Sequence, residues 1–257
     1  MDIRHPLITG TPTSGKTSLI LEAEEAALLA TSVPRPPADQ LLDAAAGTVA
    51  IGRHTDGSQA LLPLWNQYGA AHTLIAAPTG SGTSTLLDHL AAAEATTPLI
   101  DSRLIDGRAV AHGFGTTGRT DHGVRTATER GQALEMLGDL FDTIGRRRSG
   151  TDPDLPYAPT PQRPLITLTL TDWPEIAADE EIARLAHAIC VMGRSAGVGL
   201  RVAAWSVRLI DGAALNHRLT RATRIHLTAR SAPGQGTLAP HAAAPARAFR
   251  TWAPAAR

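Results

Sequence analysis

The sequence has 257 residues, 43% of them hydrophobic and 19% charged, with 24 basic and 24 acidic side chains. That supports a buried core in one large or two small domains, and it excludes both a disordered polyelectrolyte and a uniformly basic nucleic-acid coat. The balance conceals a polarity, because from Arg184 onward eleven arginines face one acid, Asp211, a net +10 that leaves −10 on the first 183 residues.

In chain order, Pro6 to Ala30 reads as a short apolar strand, a Gly/Thr/Ser/Pro turn and an Ala/Leu/Glu helix from about Thr17. Pro34, Pro36 and Pro37 then forbid helix and make a stiff connector, with a short helix expected around Gln40 to Ala46 before Gly47. Thr48 to Gly52 and Ala60 to Leu64 flank Asp56-Gly57 and predict a hairpin. Thr73 to Ala77 predicts a strand, Ser84 to Ala95 a helix and Pro98 to Asp101 a short strand. The segment Arg103 to Arg125 holds five glycines and reads as loop, followed by a helix from Thr128 to Arg147 and a Pro-rich loop. Strands at Leu165 to Thr171, Val198 to Ala204 and Arg224 to Thr228 alternate with helices at Asp179 to Arg194 and Asp211 to Arg218. Such alternation predicts a parallel sheet covered by helices on both faces. The Ala/Pro/Arg-rich stretch 239–257 reads as a loosely held tail.

Two segments have the form of phosphate loops. Gly10-Thr11-Pro12-Thr13-Ser14-Gly15-Lys16-Thr17 fits G-x-x-x-x-G-K-[ST] throughout: its glycines let successive N–H groups face a phosphate, Lys16 reaches the β- and γ-phosphates and Thr17 can hold Mg²⁺. Lys16 is also the only lysine of the chain. The second, Ala77-Pro78-Thr79-Gly80-Ser81-Gly82-Thr83-Ser84, has Ala77 for the first glycine and Thr83 for the lysine. Its backbone can still cradle phosphate, but no ammonium reaches the γ-phosphate, and that removes charge stabilisation that phosphoryl transfer needs.

The order of segments from Thr48 resembles the motor domain of the FtsK/SpoIIIE family of DNA-pumping ATPases, including relatives used in plasmid conjugation. The resemblance is carried by Val49 to Gly57 as lead-in hairpin, His72 to Gly82 as strand and phosphate loop, Leu99-Ile100-Asp101, Gly193-Arg194-Ser195-Ala196-Gly197-Val198-Gly199-Leu200, and Gly234-Gln235-Gly236-Thr237-Leu238. It covers roughly four fifths of the chain. It implies an α/β fold with a RecA-like P-loop NTPase core, a parallel sheet flanked by helices, preceded by a strand-loop-helix extension. The domains expected are 1–47 (extension and Pro-rich linker), 48–238 (ATPase unit) and 239–257 (tail). The cofactors implied are ATP and Mg²⁺, the metal held through Thr17, Ser84 and Asp172. Departures fall on catalysis: Asp172 stands where the family has its Mg²⁺-organising Asp, but Trp173 takes the place of the water-polarising Glu, with Glu175 two residues on, and Trp205 stands where a Gln senses the γ-phosphate. Arg146 or Arg147 would supply an arginine finger to a neighbouring subunit, or simply complement the helix end.

Arg194, Arg201, Arg208, Arg218, Arg221 and Arg224 are spaced as a field that would hold double-stranded DNA through its phosphates, or as solvated surface residues. His54, His72, His112, His122, His187 and His226 lack metal-ligand spacing and evident carboxylate partners, so they read as structural. Cys190, the one cysteine, excludes an internal disulfide and fits a core position in a reducing cytoplasm. No stretch is long and apolar enough for a membrane span. The expected protein is a nucleotide- and DNA-binding member of a ring, a homo-hexamer or a companion of an active FtsK-like motor, with its own hydrolysis weakened or lost. An active translocase using Lys16, or a small P-loop kinase or switch NTPase, stays open beside it.

Overall fold

The computed structural model describes residues 33–113, 122–150, 156–206, 219, 222–228, 234–241 and 244–252. The Gly10–Thr17 loop therefore lies outside the described residues, as do the helix expected at 211–218 and Arg208, Arg218 and Arg221.

The strands are β1 (Leu42–Asp43), β2 (Thr48–His54), β3 (Gln59–Pro63), β4 (Trp65–Asn66), β5 (Gly69–Ala70), β6 (Thr73–Ala76), β7 (Ile100–Asp106), β8 (Arg125–Ala127), β9 (Leu165–Thr171), β10 (Val198–Ala204), β11 (Thr223–Leu227), β12 (Gln235–Ala239) and β13 (Arg247–Thr251). The helices are α1 (Thr83–Glu94), α2 (Gly107–His112), α3 (Arg130–Ser149), α4 (Trp173–Ala177) and α5 (Glu180–Met192). One 11-stranded sheet runs β1-β2-β13-β12-β11-β6-β10-β9-β7-β8, with β3 paired to β2. The run from β11 to β8 is parallel and the rest antiparallel. The α/β expectation holds, with β10 lying between the strand that leads into the phosphate loop and the strand that ends at Asp172.

The central strands β9 and β10 are buried on both faces, as parallel strands under two layers must be. Alternate residues go to opposite cores. Leu74, Ile166, Leu168, Leu170, Leu200 and Val202 pack with α3, α4 and α5, while Ile75, Leu165 and Ala203 pack with α1 and the β2–β3 hairpin.

Three expectations are corrected. The short helix around Gln40 to Ala46 is instead a 3₁₀ turn at Ala38–Gln40 followed by β1, whose pairing to β2 satisfies the backbone that a helix would have satisfied. The stretch 103–125 starts in β7, which runs on to Asp106, and continues as α2. Within the stretch expected as a loose tail, the described residues 244–252 are held, because β13 pairs β12 on one side and β2 on the other, with Phe249 and Trp252 buried and the Trp252 indole N–H donating to the Ala50 carbonyl.

Candidate functional site

Carboxyl ends of parallel strands are where α/β sheets expose loops to ligands. The phosphate loop after β6 is built there. The Ala77 amide donates to the Ala204 carbonyl at 2.9 Å, so the loop starts pinned to the end of β10. Pro78, Thr79 and Gly80 are exposed, and Gly80 and Gly82 have φ of +81° and +99°, a backbone that L side chains rarely adopt. The Ser81 amide bonds back to the Pro78 carbonyl at 3.0 Å, while the Ser81 carbonyl accepts from the Gly234 amide at 2.9 Å. A Cβ on Gly82 would press on the Gly234 amide at 3.2 Å, so loop and Gly234 turn are in close contact. Gly82 leads directly into α1, with Thr83 and the exposed Ser84 in its first turn. The Ser81 hydroxyl is fully buried and has no protein partner. A curled loop, a helix N-terminus and an orphaned buried hydroxyl together suit an anion.

Asp172 directly follows β9, two strands and so roughly 10 Å from the β6 line. It is the only described non-glycine residue with positive φ, +47°. Its carboxylate lies 3.6 Å from the Arg108 guanidinium. Glu175, in the first turn of α4, lies 3.2 Å from His112 Nε2. Arg108 and His112 are one turn apart on α2, so a single short helix contacts both carboxylates. His112 and His122 thus do have carboxylate partners, Glu175 and Asp88 (3.1 Å), contrary to the sequence reading. Arg108, His112 and the Gly107 that lets α2 approach were hidden in the presumed loop. The signal was there, since Asp106 caps α2 by accepting from the Ala109 amide and Gly113 closes it at φ +73°, a start and stop pair.

Trp173, which the resemblance sets at the glutamate position, is buried with an unpartnered Nε1, and Trp205 is exposed just beyond β10. For Mg²⁺ the residues offer the Ser84 hydroxyl and an Asp172 carboxylate already facing Arg108. Among the described residues no group of three or more His, Cys, Asp and Glu could hold a metal ion.

The arginines divide. Arg201 is buried and bonded to Glu94 of α1 and, at 3.1 Å, to Thr169, so it belongs to the interior and the DNA-contact expectation is corrected for it. Glu94 also accepts from Ser102 at 2.6 Å and Thr167 at 2.9 Å. This network was missed. Arg194 and Arg224 are half-buried. Arg147 donates to the Ala196 carbonyl at 3.1 Å within its own chain, and burial lowers its pKa, while Arg146 is exposed against Thr143. His72 is structural as expected: Nδ1 accepts from the Leu200 amide at 2.9 Å, leaving Nε2–H for the Cys190 carbonyl at 3.0 Å. Burial pushes its pKa down to about 4. Cys190 is buried. A cleft of about 510 Å³ at the start of β7, lined by Trp65, Tyr68 and Tyr157 among others, is separate from the phosphate loop. No described helix is long and apolar enough to cross a membrane.

No family model and no curated protein matches the sequence. Solved structures do. The cytoplasmic domain of the Thermomonospora curvata type VII secretion ATPase EccC is 24% identical, with a TM-score of 0.58, over 88% of this chain and 30% of that one. The pCW3 conjugation coupling protein TcpA, in a monomer form with ATPγS, is 16% identical, with a TM-score of 0.61, over 86% of this chain and 69% of that one. ATPases 2 and 3 of Geobacillus thermodenitrificans EssC are 16% identical, with a TM-score of 0.56, over 88% of this chain and 47% of that one. The chain spans under half the length of the EccC and EssC chains it matches. With its strand order and the glycine-rich loop after β6, the described chain shares the fold of these structures.

Proposed function

We propose that this chain is a nucleotide-binding subunit of FtsK/SpoIIIE type that does not turn over ATP by itself and regulates or scaffolds an active motor in DNA translocation or conjugative transfer. One observation carries the reading: the loop from Ala77 to Ser84 keeps the backbone of a phosphate cradle, while the groups expected to do chemistry around it are replaced or engaged elsewhere. Thr83 brings no ammonium, Trp173 no carboxylate and Trp205 no amide. Backbone N–H groups and a helix N-terminus supply affinity for phosphate without supplying a nucleophile or a base. Double-stranded DNA is the proposed further ligand, through the arginine-rich second part of the chain, and the proposed assembly is a homo-hexamer or a mixed ring with an active FtsK-like motor.

The test is ATP binding and DNA-stimulated ATP turnover measured on the same preparation. Binding without turnover is expected. Robust turnover that Lys16→Ala abolishes would instead establish the second reading, a motor driven by the Gly10–Thr17 loop, which that loop's complete motif favours.

A further inference from the structure

An ATP-driven switch must tell a triphosphate from a diphosphate, and it does so with groups that reach past the β-phosphate. Around the Ala77–Ser84 loop each such position among the described residues is filled by something that does not reach, or by a carboxylate with another partner. Thr83 has a short neutral side chain at the lysine place, in the first turn of α1. Asp172 faces Arg108 at 3.6 Å, and Glu175 faces His112 at 3.2 Å. The two contacts form rungs between α2 and α4, because 108 and 112 are one turn apart, as are 172 and 175, whose backbones are joined by the Glu175 amide to Asp172 carbonyl bond at 2.9 Å.

The rungs are set by the backbone. Gly107 packs so closely on α4 that a Cβ there would collide with the Thr171 carbonyl oxygen and the Ile176 side chain. Asp106, buried, fixes the start of α2 by its cap to the Ala109 amide at 3.1 Å. The cradle itself is intact, with Gly80 and Gly82 in their left-handed conformations and the Ser81 hydroxyl buried without a protein partner. The backbone that would cradle a diphosphate is thus present, while the described groups near it that would reach a γ-phosphate are replaced or paired.

We infer that this site binds the diphosphate portion of a nucleotide and is indifferent to the γ-phosphate, so that it is a standing nucleotide site and not a switch. The inference rests on the phosphate-loop reading above and goes beyond it, because a silent subunit can still sense ATP.

The experiment titrates the full chain carrying Lys16→Ala, which disables the Gly10–Thr17 loop, preloaded with a fluorescent adenine nucleotide, with ATP, ADP and AMP in the presence of Mg²⁺. ATP and ADP are expected to displace the probe with Kd values within about threefold of each other, and AMP at least about tenfold more weakly. A preference for ATP over ADP of about tenfold or more overturns the inference and leaves the nucleotide-binding reading standing. Failure of every nucleotide to bind removes that reading and the inference with it. Thr83→Lys combined with Arg108→Gln, checked for native circular dichroism, is expected to create an ATP preference of about tenfold, one charge-assisted contact's worth. If the folded double variant binds the two nucleotides equally, the assignment of indifference to these positions is wrong.

Discussion

The two faces of β9 are built on different principles. Toward α3, α4 and α5 it presents Ile166, Leu168 and Leu170 to an apolar core. Toward α1 it presents Thr167 and Thr169, which with Ser102 and Arg201 hold the carboxylate of Glu94 in the interior. The apolar face gains stability from each buried methylene and tolerates volume-conserving exchange. The polar face gains little net energy from its ion pair, but losing either partner strands a charge without water. Because α1 begins at the phosphate loop and ends at Glu94, this demanding face is the one that holds the loop's helix in register.

The largest expected effect comes from breaking the polar face. Arg201→Met should cost about 4 kcal/mol in denaturant unfolding, since Glu94 then lies buried without its counter-charge. Adding Glu94→Gln should recover a large part of that loss, and a double variant as unstable as the single one would show that packing, not charge, governs this face. On the other face, Leu168→Ala should cost about 3 kcal/mol through lost transfer energy and a cavity. Leu168→Met should cost less than about 1.5 kcal/mol.

His72 sharpens the comparison through pH, since it ties α5 to β10 on the apolar side. Its folded pKa, about 4, lies below the ordinary value of 6.5 because burial disfavours the charged ring. Between these values the unfolded chain binds the proton and the folded chain does not, so stability is full above about pH 6.5 and falls as pH drops toward 4. The loss should amount to about 2–3 kcal/mol, and urea unfolding across pH 4–7 of wild type and His72→Gln should show the variant with a flatter profile. The smallest effect is expected at the edge of the apolar layer. Asp179 caps α5 by accepting from the Glu181 and Ile182 amides at 3.1 and 3.2 Å, so Asp179→Ala should cost about 1 kcal/mol in thermal unfolding.

The apolar face was legible in the sequence because hydrophobic runs and period announce it. Strands β9 and β10 run from Leu165 to Thr171 and from Val198 to Ala204 as their composition predicted, and the Gly80-Ser81-Gly82 turn lies between strand and helix as its spacing required. The polar face was not legible. Its partners are 107 residues apart in the chain, and Arg201 looks like any other arginine of a basic segment. The alternating threonines of Leu165-Ile166-Thr167-Leu168-Thr169-Leu170-Thr171 were the available hint, since a strand buried on both faces has no apolar reason to place a hydroxyl at every second position. Arg108 and His112 were missed for a different reason: glycines on either side of a six-residue helix made it look like loop, and only tertiary contact reveals what its basic residues meet.

The place of β13 bears on how the sheet assembles. Phe249 pairs with His54, and Thr251 with Gly52, so a strand far along the chain from β2 is needed to fill the gap between β2 and β12. Until it arrives, β2 and β12 each keep an open hydrogen-bonding edge, and such edges recruit strands from other molecules. The Thr251 amide also donates to the Gly234 carbonyl at 2.7 Å, and the Gly234 amide to the Ser81 carbonyl, so the loop after β6 gains its full set of contacts only once β13 has docked.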